Sequence, residues 1–394
     1  FQQQSHELRA AFGADSPLHG QIGGYFFREE SSLELNIGAP LSQIVGGANA
    51  VGFAFPQGPT VARSIAGFGQ LTYDLTDDLH ISVGGRYTSD DKSRNGATVV
   101  DTRNVNTGVI TRTVINENIA SRGYNKFTWR AGIDYDVPGL GLVYASVSTG
   151  YKAGGFNDGC LSGAGVGCSL TASALYYDPE TLTAYEGGFK FRLMDNALRL
   201  NASVFHYDYS GLQISQLAIV SGVPATLIRN AATAKIDGVE LEAVVNPGDN
   251  TRFDFGFTYT NSRYTNFVPD SVNYPTFSFN GLPLDHAPEL TASAGITQTI
   301  PLGNGGEIEA SARTRLSSAY YMQDLNNLSQ FRQPAFTKTD LTLTYNAPER
   351  AWFVQGFVKN LENEITLAAA NSGTFSSATI ETPRTFGVRA GIRF

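Results

Sequence analysis

The densest group of side chains able to bind something is Tyr151, Lys152, Phe156 and Asn157. An aromatic and cationic set of this kind can hold an anionic ligand through cation–π contact and hydrogen bonds. The same stretch has a plainer and favoured reading, in which Tyr151 is an interfacial aromatic and Gly154-Gly155 turns the chain. Tyr320, Tyr321 and Gln323 pose the same choice at the base of another connection. Cys160 and Cys168 sit close enough in sequence to form a small disulfide loop, contributing about 2–3 kcal/mol and pinning the loop's shape. Free thiols or a metal pair are the alternatives, disfavoured because no His or second Cys pair is near. His6, His19, His80, His206 and His286 are scattered without metal-ligand spacing, and no GxSxG, P-loop or CxxC motif occurs. The sequence therefore reads as neither an enzyme nor a holder of a resident metal or cofactor.

The elements that position these residues read as strands throughout. Hydrophobic residues make up 42% of the 394 and charged residues 16%, with 42 glycines and a net charge of -8. No basic run or basic-aromatic stripe is present, which argues against a nucleic-acid partner. No apolar stretch approaches the ~20 residues of a membrane helix, but a β-barrel crosses lipid with alternating strands instead. Such alternation recurs along the chain. Phe253, Phe255, Phe257 and Tyr259 stand opposite Asp254, Gly256, Thr258 and Thr260, and Val239, Leu241, Ala243 and Val245 stand opposite Glu240 and Glu242. The runs are as long as the ~9–11 residues of lipid-spanning strands and longer than the ~5–6 typical of a soluble sandwich. Tyr73, Tyr87, Tyr135, Tyr259, Tyr345 and Trp352 gather toward strand ends, as an interfacial girdle requires.

Two kinds of connection alternate. Tight turns fall at Thr76-Asp77-Asp78, Pro138-Gly139, Asp195-Asn196, Pro247-Gly248-Asp249-Asn250, 301–306 and Ala347-Pro348-Glu349-Arg350. Long connections are expected near 29–60, 89–123, 151–180, 264–286, 322–335 and 363–383, and a long-armed hairpin turns near Ser221-Gly222-Val223-Pro224. Short turns at one end and long loops at the other is the outer-membrane pattern. The predicted fold is all-β: one antiparallel transmembrane barrel domain over 1–394, with about fifteen strands.

Several segments, in order, resemble the TonB-dependent receptor family. Tyr151-Lys152-Ala153-Gly154-Gly155-Phe156-Asn157 looks like its YKAGGFN segment, and Pro179-Glu180-Thr181 through Glu186-Gly187-Gly188-Phe189-Lys190 resembles the strand that follows. Val204 through Gln213, Asn230-Ala231-Ala232 with Gly238-Val239-Glu240-Leu241-Glu242, Val358-Lys359-Asn360-Leu361 and Pro383 through Val388 continue the series. The final strand, with Phe386, Val388, Ala390, Ile392 and Phe394 on one face, resembles the signal read by the barrel-assembly machinery.

The resemblance implies a Gram-negative outer-membrane receptor with a 22-strand barrel around a plug. Because Phe1 already lies in a strand, the plug and first strands read as missing from this sequence. It further implies import of a scarce nutrient, most often a ferric siderophore, captured at extracellular loops and moved by energy from TonB, which grips a plug segment that cannot be assigned here. Implied partners are TonB, the assembly machinery, lipid and lipopolysaccharide, and a small-molecule or metal-chelate ligand. A passive porin is the alternative. Arg130, Asp134, Glu186, Lys190, Arg192, Glu240, Glu242, Arg313, Arg315, Lys338, Asp340, Arg389 and Arg393 are expected on the lumen face, against plug or water.

Overall fold

The computed structural model describes residues 1–38, 47–157, 175–220, 223–268, 278–322, 331–372 and 376–393. Fifteen strands form one antiparallel sheet. They are β1 (Gln2–Phe12), β2 (Leu18–Gly38), β3 (Ala50–Asp74), β4 (Leu79–Arg103), β5 (Ile110–Val137), β6 (Gly141–Lys152), β9 (Glu180–Leu193), β10 (Leu198–Val220), β11 (Val223–Gly248), β12 (Thr251–Phe267), β13 (Leu290–Pro301), β14 (Glu307–Ser317), β17 (Phe336–Asn346), β18 (Trp352–Lys359) and β21 (Thr385–Ile392). Three two-stranded ribbons stand beside the sheet: β7 (Gly155–Phe156) with β8 (Tyr176–Tyr177), β15 (Tyr320–Tyr321) with β16 (Arg332–Gln333), and β19 (Leu367–Ser372) with β20 (Ser376–Ile380). Main-sheet strands follow one another in chain order, each pairing with its sequence neighbours, as short antiparallel connections dictate.

The pleat gives the sheet two unlike faces. Register carries the apolar set from strand to strand: Val239 faces Val204 on one side and Tyr259 on the other, while Glu240 faces Ser203 and Thr258. All thirteen charges expected on the polar face share its parity across the sheet, as in the facing pairs Arg313 with Asp340 and Arg315 with Lys338. The apolar face is uncovered: Ile133, Tyr185, Val204, Phe253, Phe255, Leu343 and Trp352 are all exposed large side chains. A water-soluble protein seldom leaves so wide a continuous apolar belt bare. Tyr87, Tyr135 and Tyr259 sit near the ends of this belt, and Tyr345 packs at a tilt against Trp352 with ring centroids 5.2 Å apart.

The tight turns lie where expected. Asp195 and Asn196 take left-handed φ values of 52° and 69°, and Gly139 takes 76°, conformations that Asn, Asp and Gly tolerate best. The long-connection end differs from the sequence expectation in one respect. The described residues of 29–60 and 89–123 are largely strand, because β2 through β5 run far past the apolar belt. Arg112 ties this extension together by a forked ion pair to Asp101, at 2.9 and 3.0 Å, and a bond to Glu34. Buried apolar residues among those described gather at this end as well. Ile214, Ala232, Ala234, Tyr264, Phe267 and Phe279 form one cluster, and Ala50, Phe55 and Val100 another.

Candidate ligand site

β6 stops pairing with β5 at Arg130 opposite Ser148 but stays paired with β9 as far as Lys152 opposite Glu180, and the chain leaves the sheet after Lys152. From there the chain is braided to its neighbours. The Tyr151 hydroxyl donates to Asp90 at 2.5 Å, and burial, reinforced by that carboxylate, raises the phenol's pKa. Lys92 donates to the carbonyl of Gly154 at 2.8 Å, and burial lowers its pKa while Asp90 opposes the shift. Tyr124 donates to the carbonyls of Gly155 and Tyr177. Arg94 donates to the carbonyl of Asn157 at 2.7 Å, with its guanidinium 4.8 Å above the Phe156 ring.

Asn157 is only 4% exposed. Its amide donates to the Ile228 carbonyl at 2.9 Å and accepts from the Ile228 N–H at 2.6 Å. β11 pairs with β12 only from Ala232 onward, so the Asn157 side chain supplies here the bonds a neighbouring strand would. Gly154 is required by close approach: a Cβ there would meet the Tyr177 backbone carbonyl at 2.4 Å, whereas one on Gly155 would meet the movable tip of the Tyr177 side chain. Gln213 and Asn230 complete the braid, donating to the carbonyls of Ala153 and Asp178. Tyr151, Phe156 and Asn157 thus hold the chain itself, and of the four expected residues Lys152 alone is exposed. Cys160 and Cys168 lie outside the described residues.

The second expected group behaves similarly. Tyr320 and Tyr321 form β15 opposite Gln333 and Arg332, and the His286 N–H donates to the Tyr321 carbonyl. Gln323 lies outside the described residues. Beside Tyr320, however, is an open polar basin. Arg313 and Arg315 on β14, Lys338 and Asp340 on β17, and Lys359 and Asn360 at the end of β18 line a cavity of about 730 Å³, closed on one side by Glu381. Four cations and two carboxylates line it. Lys338 donates to Glu381 and to Thr366, both at 2.6 Å, and Thr366 donates to the same carboxylate at 2.7 Å. Those bonds, Lys338 first, hold the Glu381 carboxyl below its ordinary pKa. Arg315 and Lys338 both lie 5.6 Å from the Phe336 ring. Asp254 engages Arg313 at 2.8 Å, whereas Arg315 stands 3.9 Å from Glu381 and is 57% exposed. Lys359 is exposed as well. The basin therefore presents four cations and the hydroxyls of Thr382 and Thr385 to a shared volume, an arrangement that favours an anion.

The sequence placed Arg313, Arg315, Lys338 and Asp340 on the right face but gave no sign that Thr366 and Glu381, which arrive from a separate connection, close the basin. Lys92 and Arg94 were missed for the same reason: their partners lie about sixty residues away. The resemblance did flag Gln213 and Asn230, without a role.

The final-strand residues Phe386, Val388 and Ile392 are bare on the apolar face, Phe386 at 81%. Ala390 shares their parity, and Phe394 lies outside the described residues.

Comparison with known proteins adds the following. The family model described as "TonB dependent receptor-like, beta-barrel" matches residues 1–361. The pesticin receptor of Yersinia pestis is 24% identical over 401 aligned residues, covering all of this chain and 52% of that protein. The crystal structure of the ferric yersiniabactin uptake receptor FyuA from Yersinia pestis superposes with a TM-score of 0.76 at 20% identity, covering the whole chain and 54% of that one. The siderophore receptor PiuA from Acinetobacter baumannii gives 0.67 at 18% identity, covering 98% and 56%. The chain thus spans about half the length of the relatives it matches.

Proposed function

This chain belongs to the TonB-dependent receptor β-barrel family, and from that premise we propose that it forms the barrel wall of a receptor that captures an anionic metal chelate, a ferric siderophore, for energised import. The family lies in the Gram-negative outer membrane and comprises receptors and transporters, not enzymes. The apolar face accordingly meets lipid, the polar face lines the lumen, and the long-connection end is extracellular. The names of the relatives, pesticin, yersiniabactin and siderophore receptors, support the choice of ligand class.

The observation that carries the reading is the basin of Arg313, Arg315, Lys338 and Lys359, on the lumen side toward the long-connection end. A multiply charged chelate entering there meets the cations Arg313, Arg315, Lys338 and Lys359 converging on one basin of the wall. The braided segment 151–157 serves as the rigid rim beside the entrance. Transport through TonB, and contact of the polar wall with a plug, follow from the family and are assigned to no residue here.

Binding of ferric siderophores to the full-length protein, followed by fluorescence quenching, tests this. The double variant R315Q/K359Q is expected to weaken the bound ferric chelate about 10- to 100-fold, on the order of 1–3 kcal/mol for two lost charge contacts. Unchanged affinity in that variant, or wild-type indifference to every ferric chelate tried, would overturn the proposal.

A further inference from the structure

Of the two carboxylates lining the basin, one is built into the wall and the other is brought to it. Asp340 lies within β17 and accepts the N–H of Asn360 at 2.9 Å. Glu381 follows β20, at the foot of the β19–β20 hairpin, where its N–H donates to the Thr366 carbonyl. The hairpin stands outside the main sheet. Its foot is tied down by the N–H of Leu367, which donates to the side chain of buried Gln333 at 2.7 Å, and by the Glu381 carboxylate, which takes Lys338 at 2.6 Å.

The tie to Lys338 is open to exchange. Lys338, Thr366 and, at 3.9 Å, Arg315 all reach the same carboxylate oxygen, Oε2. Among the described residues no donor reaches Oε1, and the Glu381 side chain is 43% exposed. The Lys338 side chain, in contrast, is only 10% exposed. A buried ammonium left without an anion is costly, so Lys338 keeps Glu381 until another anion replaces it. An oxyanion of the ligand that takes the place of Glu381 leaves Lys338 with an equivalent charge-assisted bond. A neutral ligand offers no such replacement. Arg315 and Lys359 are exposed, so an incoming anion finds a first foothold beside Lys338.

We infer that Glu381 is a built-in competitor of the ligand: it holds Lys338 as a stand-in anion and yields it only to an anionic chelate, so that this side chain sets the basin's selectivity for charge and couples capture to release of the hairpin foot. Ligand anion and carboxylate exchange places, and Lys338 is never left unpaired. Glu381 thus opposes the binding of the ligand it selects, opposite in sign to a residue that merely braces Lys338. The inference rests on the basin being the ligand site, as proposed above.

The test compares two ferric chelates on the full-length protein in detergent, a trianionic tris-catecholate and a neutral tris-hydroxamate. Glu381→Gln keeps an oxygen that can accept from Lys338 and Thr366 but removes the competing charge. The variant is expected to bind the trianionic chelate about tenfold more tightly than wild type, the size of one charged contact, with its affinity for the neutral chelate unchanged. In wild type the trianionic chelate is expected to lower hydrogen-exchange protection over 376–381, and the neutral one to leave it as it was. Equal or weaker binding of the trianionic chelate by Glu381→Gln overturns the inference, since a bracing residue gives that result. So does a hairpin foot whose protection is unmoved by the trianionic chelate, or moved by both chelates. Where R315Q/K359Q weakens the trianionic chelate and Glu381→Gln does not tighten it, the basin binds but Glu381 is no competitor. Where R315Q/K359Q has no effect, the basin is not the ligand site and both proposals fall.

Discussion

Replacing Asn157 by Ala removes two bonds at once. The Ile228 N–H and carbonyl lose the side chain that bridges them, at 2.6 and 2.9 Å, in a site where Asn157 is 4% exposed. A buried polar group left unmatched costs about 1–3 kcal/mol, so the pair amounts to roughly 2–6 kcal/mol. The backbone contacts of residue 157, to Leu175 and to Arg94, survive the change. The loss should therefore appear as local opening of the braid and not as unfolding of the sheet. At the lower bound of about 2 kcal/mol the open population rises about 30-fold. Hydrogen exchange of the protein in detergent, read by mass spectrometry, measures it directly. Peptides over 153–157 and 226–230 should lose protection by at least that factor, while peptides over β3 and β4 keep theirs. A change below about threefold at Ile228 would refute the claim that this side chain substitutes for a strand.

Two further expectations follow from the same geometry. Gly154→Ala drives a methyl to within 2.4 Å of the Tyr177 carbonyl and 2.5 Å of the Tyr124 ring, and overpacking of this kind costs about 1–3 kcal/mol. The variant should show a raised proteolytic cleavage rate at the rim with unchanged strand content by circular dichroism, and an unaltered rate would contradict the close approach. Glu381, whose carboxyl is held below its ordinary value of 4.5 by Lys338 and Thr366, stabilises the basin fully above that value and loses the contribution as pH falls through the lower folded one. Exchange protection over 376–381 should therefore decline in acid, and Glu381→Gln should abolish that pH dependence.

The strands that cross lipid were legible because the membrane imposes opposite chemistry on successive residues, as in Phe253 through Tyr259. Once a strand leaves lipid, both faces meet water or neighbouring loops and the alternation vanishes. Ser89 through Arg103, a polar stretch that reads as loop, is the far half of β4 for that reason. The braid at 151–157 was legible as a motif, while its meaning was not. Asn157 looks like a ligand donor until register brings Ile228 beside it. The basin was half legible: parity put Arg313, Arg315 and Lys338 on one face, but only tertiary structure carries Glu381 and Thr366 to them.

The central claim is that the face bearing Phe253, Phe255 and Phe257 touches lipid and the face bearing Asp254 and Thr258 does not. Single tryptophans placed at these five positions, in a protein whose Trp129 and Trp352 are replaced by Phe, report it through quenching by brominated acyl chains. The account predicts strong quenching at 253, 255 and 257 and little at 254 and 258, a two-residue period along β12. Equal quenching at odd and even positions, or none at any, would contradict it.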